Sequence, residues 1–428
     1  MAPCCFGEDR LDCDAMLESL SRHTVSSHRD HLWCGRTALQ AGKTEEASRH
    51  FDLAVTRPPA DANDARNLGA GLYRLGRFND AGKSFDKAIR ADPSNTATRM
   101  ALVNTAGAAG VLGVALWHFG LASSNLHPLS SALSAAWRSP PPASAVVPES
   151  AGDWPEVYYV DVAPPRNALK ALSSFLSKRV IGAEYNYEFK SSSLPVTGLQ
   201  SGGLLEQAIA QMQAFLPPDV RARSKCAEWW VHRRPSKPVP KGVRVMGLEG
   251  HPLHWDNDGP EADNKQGSGR LRPLFTSLLY LTGGKQGAPA PVVVVNTTMP
   301  EDGKGLHVGD PAWVVHPAVG RIAYLNGSLL HGVLPSAGSV EVEQRRSLAR
   351  RLSLNVAWWP HDCQQAKRRV SGEPPPAPDL SWQLLQPEVA QQISLTGSRP
   401  HLLTPQPVRG IFCGADMCGM KSGGKAEL

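Results

Sequence analysis

Hydrophobic and polar positions change their period part-way along this chain. Over residues 28–127 small and apolar residues recur at helical spacing, broken by glycines at a fixed interval. Gly42, Gly76 and Gly110 stand 34 residues apart, and the same step joins Ala47, Ala81 and Ala115; Phe51, Phe85 and Phe119; and Ala54, Ala88 and Ala122. Four positions held in phase through three copies predict three stacked helical hairpins. The small residues let two helices approach, the Phe fills the space between neighbouring units, and the Gly breaks the chain between the first and second helix of each. Gly35 and Gly69 take the close-contact position of the first helix, with Val103 in the third copy; Pro58, Pro59 and Pro93 end the first two units. Ahead of them, 10–22 reads as a short amphipathic capping helix.

From Val157 onward the texture becomes short β-rich runs separated by Gly and Pro. Residues 167–179 and 204–216 keep helical spacing. Strands are predicted over 228–234, 243–248, 274–281, 291–296, 320–325 and 351–359, an array that argues a jelly-roll sandwich or barrel with the two helices on its outer sheet. The division is therefore 1–27 as N-terminal segment and cap, 28–127 as the repeats, 128–153 as a Pro/Ser/Ala linker, 154–361 as the β domain and 362–428 as a tail, partly disordered. Within that tail 382–393 looks helical, and the Gly-rich end carrying Cys413 and Cys418 reads as free thiols rather than a zinc site.

The repeat positions resemble the tetratricopeptide repeat, a helical hairpin whose stacking builds a concave surface. That resemblance implies capture of a protein or peptide in the groove. It also bears on residues 101–122, which carry no Asp, Glu, Lys or Arg and are long enough to cross a bilayer. Because the stretch keeps the repeat phase and contains Asn104 and His118, a third repeat with a covered apolar face is preferred to a membrane helix.

Composition narrows the classes further. Forty-one per cent hydrophobic and 20% charged residues are ordinary for globular domains, and a net charge of +6 with no basic face interleaved with aromatics gives no clear nucleic-acid site, without excluding nucleic acid as a partner. Eight scattered cysteines without a Cys-x-x-Cys pair, and a start lacking a signal-peptide apolar core, point to a reducing compartment, the cytoplasm before the nucleus or a membrane anchor.

Candidate chemistry centres on His254-Trp255-Asp256. In an extended backbone His254 and Asp256 share a face, supplying an imidazole nitrogen and a carboxylate oxygen. A second His would complete a set that leaves three adjacent coordination positions open, the arrangement of non-haem Fe(II) oxygenases. His331 is the candidate, at the start of a strand and followed by Gly332 and Pro335, which hold the local backbone open. His251 lies off the face of His254, His307 in a polar loop, His316 before Pro317, and His361 beyond the last strand. Arg351 and Ser353 share a face by alternation and can grip one carboxylate together. Arg350 competes for that role, and the Ser two places on favours Arg351.

In this order the motifs resemble those of the Fe(II)- and 2-oxoglutarate-dependent dioxygenases, nearest the prolyl 4-hydroxylase-like branch. Thr276 to Leu281 ahead of Gly283-Gly284, and Val315-His316-Pro317 ahead of Gly320, add to the likeness, which covers roughly 228–360. It implies a double-stranded β-helix with iron held by His254, Asp256 and His331. It implies 2-oxoglutarate chelating the metal while Arg351 and Ser353, with Tyr280, hold its distal carboxylate. The implied reaction consumes O2, with ascorbate as accessory reductant, releases succinate and CO2, and hydroxylates a side chain of a protein or peptide. The gap between His331 and Arg351 is longer than in many such enzymes, with 336–346 inserted as a hairpin. The alternative is a repeat-based binding scaffold whose jelly-roll domain is silent.

Overall fold

The computed structural model describes residues 27–111, 154–177, 203–234, 250–256, 272–282, 290–298, 311–336 and 351–362, with shorter pieces at 114–115, 118–119, 133, 192–196, 199, 245–246, 341–342, 383–384 and 388–393. The expected cap at 10–22, the linker apart from Leu133, Arg350, the body of the 336–346 insertion and the Cys413/Cys418 end lie outside them. The chain divides into two compact units, one built on residues 1–94 and the other on 95–239 and 244–428.

The first unit holds two helical hairpins, α1 (His28–Gln40) with α2 (Thr44–Val55), and α3 (Ala62–Arg74) with α4 (Phe78–Ala91). Ser27 and Asp30 form a reciprocal capping box at α1, and the Asp61 side chain caps α3 through Asp64 N–H. Gly42 and Gly76 turn each hairpin with φ of 78° and 74°, a conformation in which a Cβ is strained. Phe51 is fully buried and fills the space where side chains are missing: a Cβ added to Gly35 or Gly71 would lie 2.5 or 2.4 Å from its ring. Phe85 stands against Gly69 in the same way. Phe51→Ala is expected to cost about 3–5 kcal/mol, read as a lower urea midpoint of unfolding.

The second unit begins with α5 (Thr96–Ala108), the first helix of the third predicted hairpin. The compact division falls before this helix. The reason is its apolar face: Met100, Val103 and Ala106 share one core with strands of the β domain. No helix among the described residues is long and apolar enough to cross a membrane.

Next come β1 (Val157–Ala163), α6 (Arg166–Ser177), β2 (Ser192–Pro195), α7 (Leu204–Ala214), α8 (Pro218–Arg223), β3 (Cys226–Arg234), β4 (Val245–Met246) and β5 (His251–His254). They are followed by β6 (Phe275–Thr282), β7 (Val292–Thr298), β8 (Ala312–Val315), β9 (Arg321–Asn326), β10 (Leu329–Val333), β11 (Glu341–Val342) and β12 (Arg351–Trp359). Three short strands close the series, β13 (Gln383–Leu384), β14 (Glu388–Val389) and β15 (Gln391–Ile393). An antiparallel eight-stranded sheet runs β13-β1-β9-β6-β12-β3-β2 with β14 also on β1, and a five-stranded sheet runs β15-β8-β7-β10-β5.

Strand alternation builds several cores among the described residues. Leu279, Leu354, Val356 and Trp358 face outward under α6 and α7, contributed by Leu172, Leu176, Leu205 and Ile209. Tyr158 and Tyr324 stack at 4.8 Å, and their hydroxyls donate to Phe215 O and Met212 O, satisfying carbonyls at the end of α7. Between the sheets lie Leu278, Val292, Val294, Trp313 and Leu325. Behind the five-stranded sheet, Val293, Val295, Val314 and Leu330 meet α5. Both faces of β7 are covered, so its sequence is a run of valines rather than an alternation.

Two expectations are corrected. The described residues of 382–393, at 383–384 and 388–393, are not helical: Pro387 removes a helix donor, and these pieces add edge strands to both sheets. Cys226 is disulfide-bonded, a pairing that the scatter of the cysteines did not suggest.

Candidate metal centre

The five-stranded sheet ends on β5, paired antiparallel to β10 with His331 directly opposite His254. Residues opposite one another in a ladder share a face. A register shift separates this pair from Val333↔His251, three residues of β5 spanning two of β10. Gly332 permits the approach, because a Cβ there would meet His251 O at 2.9 Å and Leu253 N at 3.0 Å. The expectation that Gly332 opens the backbone is therefore corrected: it lets two strands close.

His254, Asp256 and His331 converge, with one ligand atom from each lying within 4.8 Å of the others. His254 Nε2 is 3.6 Å from Asp256 Oδ1, and His331 Nε2 is 3.5 Å from Asp256 Oδ2. His254 Nδ1 lies 3.0 Å from Pro252 O and His331 Nδ1 lies 3.1 Å from Leu329 O. A carbonyl only accepts, so each Nδ1 carries the proton and each Nε2 presents a lone pair. Thr276 Oγ1 donates to Asp256 Oδ2 at 2.8 Å and fixes the carboxylate. Metal-binding imidazoles are held in this way, by a hydrogen bond on the other ring nitrogen. Two neutral imidazoles and one carboxylate, on one side of the gap, fit a divalent cation with open positions beyond. Thr276→Val is expected to weaken metal affinity by about 10–100-fold, checked by Co(II) titration of the full chain.

Strand β12 contributes Asn355 to the cavity lining. Arg351, Ser353 and Asn355 alternate along one face of β12, exposed by 2%, 0% and 1%. Ser353 stands opposite Tyr280 of β6 and His232 of β3. Arg351 donates to Ala290 O, and its guanidinium carbon lies 5.2 Å from the Tyr280 ring centroid. Ser353 Oγ donates to Asn355 Oδ1 at 3.4 Å. Tyr280 Oη and Asn355 Nδ2 are buried with no hydrogen-bond partner. Burial raises the Tyr280 pKa, against the lowering influence of Arg351, and keeps the hydroxyl a donor. Each unmet buried group costs about 1–3 kcal/mol, which an acidic ligand would relieve.

The cavity lined by His254 and His331 is also lined by Trp230, His232, His251 and Asn355. The rings of His232, His251, His254 and His331 form a row with successive centroids 5.8, 4.6 and 4.6 Å apart. Sequence reading set His251 aside as off the face of His254. The β5 irregularity reverses that, because an extra residue returns position 251 to the same side. His232 and Trp230 were legible as alternate positions of the 228–234 strand, yet nothing in their spacing assigned that face to the cavity. His316 is buried at the end of β8, and His361 lies past β12.

No protein-family profile matches this chain, and no curated protein sequence does. Among solved structures, a Pseudomonas putida prolyl-4-hydroxylase is 16% identical with a TM-score of 0.28, covering 48% of this chain and 92% of its own. The α-ketoglutarate-dependent carbocyclase SnoK from nogalamycin biosynthesis is 12% identical with a TM-score of 0.29, covering 54% and 92%. HygX from Streptomyces hygroscopicus, with nickel, 2-oxoglutarate and hygromycin B bound, is 12% identical with a TM-score of 0.26, covering 52% and 93%. These likenesses are faint, and the chemistry below is read from this chain's own residues.

Proposed function

We propose that this chain is an Fe(II)- and 2-oxoglutarate-dependent dioxygenase that hydroxylates a side chain of a protein or peptide. The observation that carries the reading is the convergence of His254, Asp256 and His331, with both Nε2 lone pairs turned toward the carboxylate. Those three would hold the iron; Arg351 and Ser353, with the Tyr280 hydroxyl, would hold the distal carboxylate of 2-oxoglutarate. Bound together, the metal and cosubstrate supply oxidation of a C–H bond: substrate, O2 and 2-oxoglutarate give hydroxylated substrate, succinate and CO2.

The chain's residues provide the rest. Pro252 O and Leu329 O orient the imidazoles, and Thr276 orients the carboxylate. Leu278, Val292 and Val333 line the cavity with hydrocarbon and limit water. Arg351, almost fully buried, offers a fixed charge and a planar donor fork where solvent does not compete. The repeat positions, with Phe51 and Phe85 seated on glycines, support a tetratricopeptide-like array as the element that captures the polypeptide.

Succinate release from 2-oxoglutarate, followed under air with Fe(II) and ascorbate, tests the reading. Iron-dependent succinate is expected even without substrate, as uncoupled turnover. Neither turnover nor retained iron would leave the silent scaffold.

A further inference from the structure

By its sequence α5 opens the third helical hairpin, but its packing serves the β domain. We propose that α5 is a positioning element for the metal centre, with Asn104 and Gly107 setting the alignment of the two histidine strands. The inference rests on His254, Asp256 and His331 being metal ligands.

Strand β5 has reasons to be loosely held. It has four residues, lies at the edge of its sheet among the described strands, and pairs with β10 at His331↔His254 and Val333↔His251 with an irregularity between them. Short edge strands with a bulge have little ladder to fix them, and a slip of one residue turns every side chain to the opposite face. His254 would then leave the cavity.

Helix α5 supplies the missing restraint at the end where the two strands meet. Asn104 Oδ1 accepts from Gly250 N–H at 2.8 Å, immediately before β5. One turn on, Gly107 lies against the chain leaving β10: a Cβ there would be 2.9 Å from Pro335 Cγ and 3.0 Å from Ser336 O. Residues three apart share a helix face, so a single turn of α5 touches both strand ends. The residue before each histidine ligand, Leu253 and Leu330, is buried in the core that contains Met100, Val103 and Ala106. Each inward imidazole thus has an outward neighbour seated in the core that α5 shares.

The test uses the full chain with Co(II) as the probe, its visible absorption reporting coordination, and a thermal unfolding midpoint beside each titration. Asn104→Ala and Gly107→Ala are each expected to loosen Co(II) binding by about tenfold. Asn104→Asp keeps an oxygen facing Gly250 N–H and is expected to restore the affinity. Leu172→Ala, in the core under α6, should lower the midpoint and leave Co(II) affinity alone. Co(II) affinity unchanged in both α5 variants, whatever their midpoints, overturns the inference while leaving the metal centre intact. Failure of the unmutated chain to take up Co(II) overturns both.

Discussion

Asp256→Ala is expected to bring iron-dependent succinate release to background. Asp256 is the one charged member of the cluster, with one oxygen 3.6 Å from His254 Nε2 and the other 3.5 Å from His331 Nε2. Without it two neutral imidazoles face a divalent ion with no negative charge to offset it. The loss should exceed the ~10–100-fold that removal of an outer hydrogen-bond partner costs. Asp256→Asn sharpens the prediction, since the amide keeps the shape and an acceptor for Thr276 but not the charge. Assayed for succinate beside the unmutated chain, it should fall with the alanine variant. Full activity in the Asn variant would show that the carboxylate is not a ligand.

Arg351→Met should weaken cosubstrate binding and leave metal binding in place. The guanidinium is 2% exposed and stands over Tyr280, whose hydroxyl burial keeps protonated. Truncating one partner of a buried charged pair costs about 2–5 kcal/mol, so the KM for 2-oxoglutarate should rise by roughly 30-fold to several thousandfold. Lys at this position is expected to recover only part of the loss, because an ammonium is a point charge without the planar fork. Steady-state kinetics with varied 2-oxoglutarate, beside a Co(II) titration of the same variant, separates cosubstrate binding from metal binding. An unchanged KM would remove Arg351 from the site.

What could be read without coordinates followed from periods. The step of 34 placed the glycines of the first two hairpins and the Phe51 and Phe85 contacts, because each depends on residues close in sequence or on one repeated interface. Period-two alternation placed Arg351 and Ser353 on one face and paired His254 with Asp256, while the strand setting ahead of Gly332 and Pro335 singled out His331. It could not place His251, since a register irregularity shifts the phase and nothing within His251-Pro252-Leu253 announces one. Nor could it find the edge strands at 383–393, whose pairing depends on free edges of β1 and β8 built more than 60 residues earlier in the chain. The allegiance of α5 was half legible: the absence of charge from Met100 onward said that something covers it, while Leu253, Leu330 and Val293 became its partners only through tertiary packing.

The central claim is that the β5–β10 register brings His331, 77 residues along the chain, against His254 to complete a metal site. Anaerobic equilibrium dialysis with Fe(II), comparing the full chain with His331→Ala, addresses it most directly. One iron per unmutated chain, with affinity at least ~100-fold weaker in the variant, is the predicted result. Equal uptake by both proteins, or none by either, would contradict it.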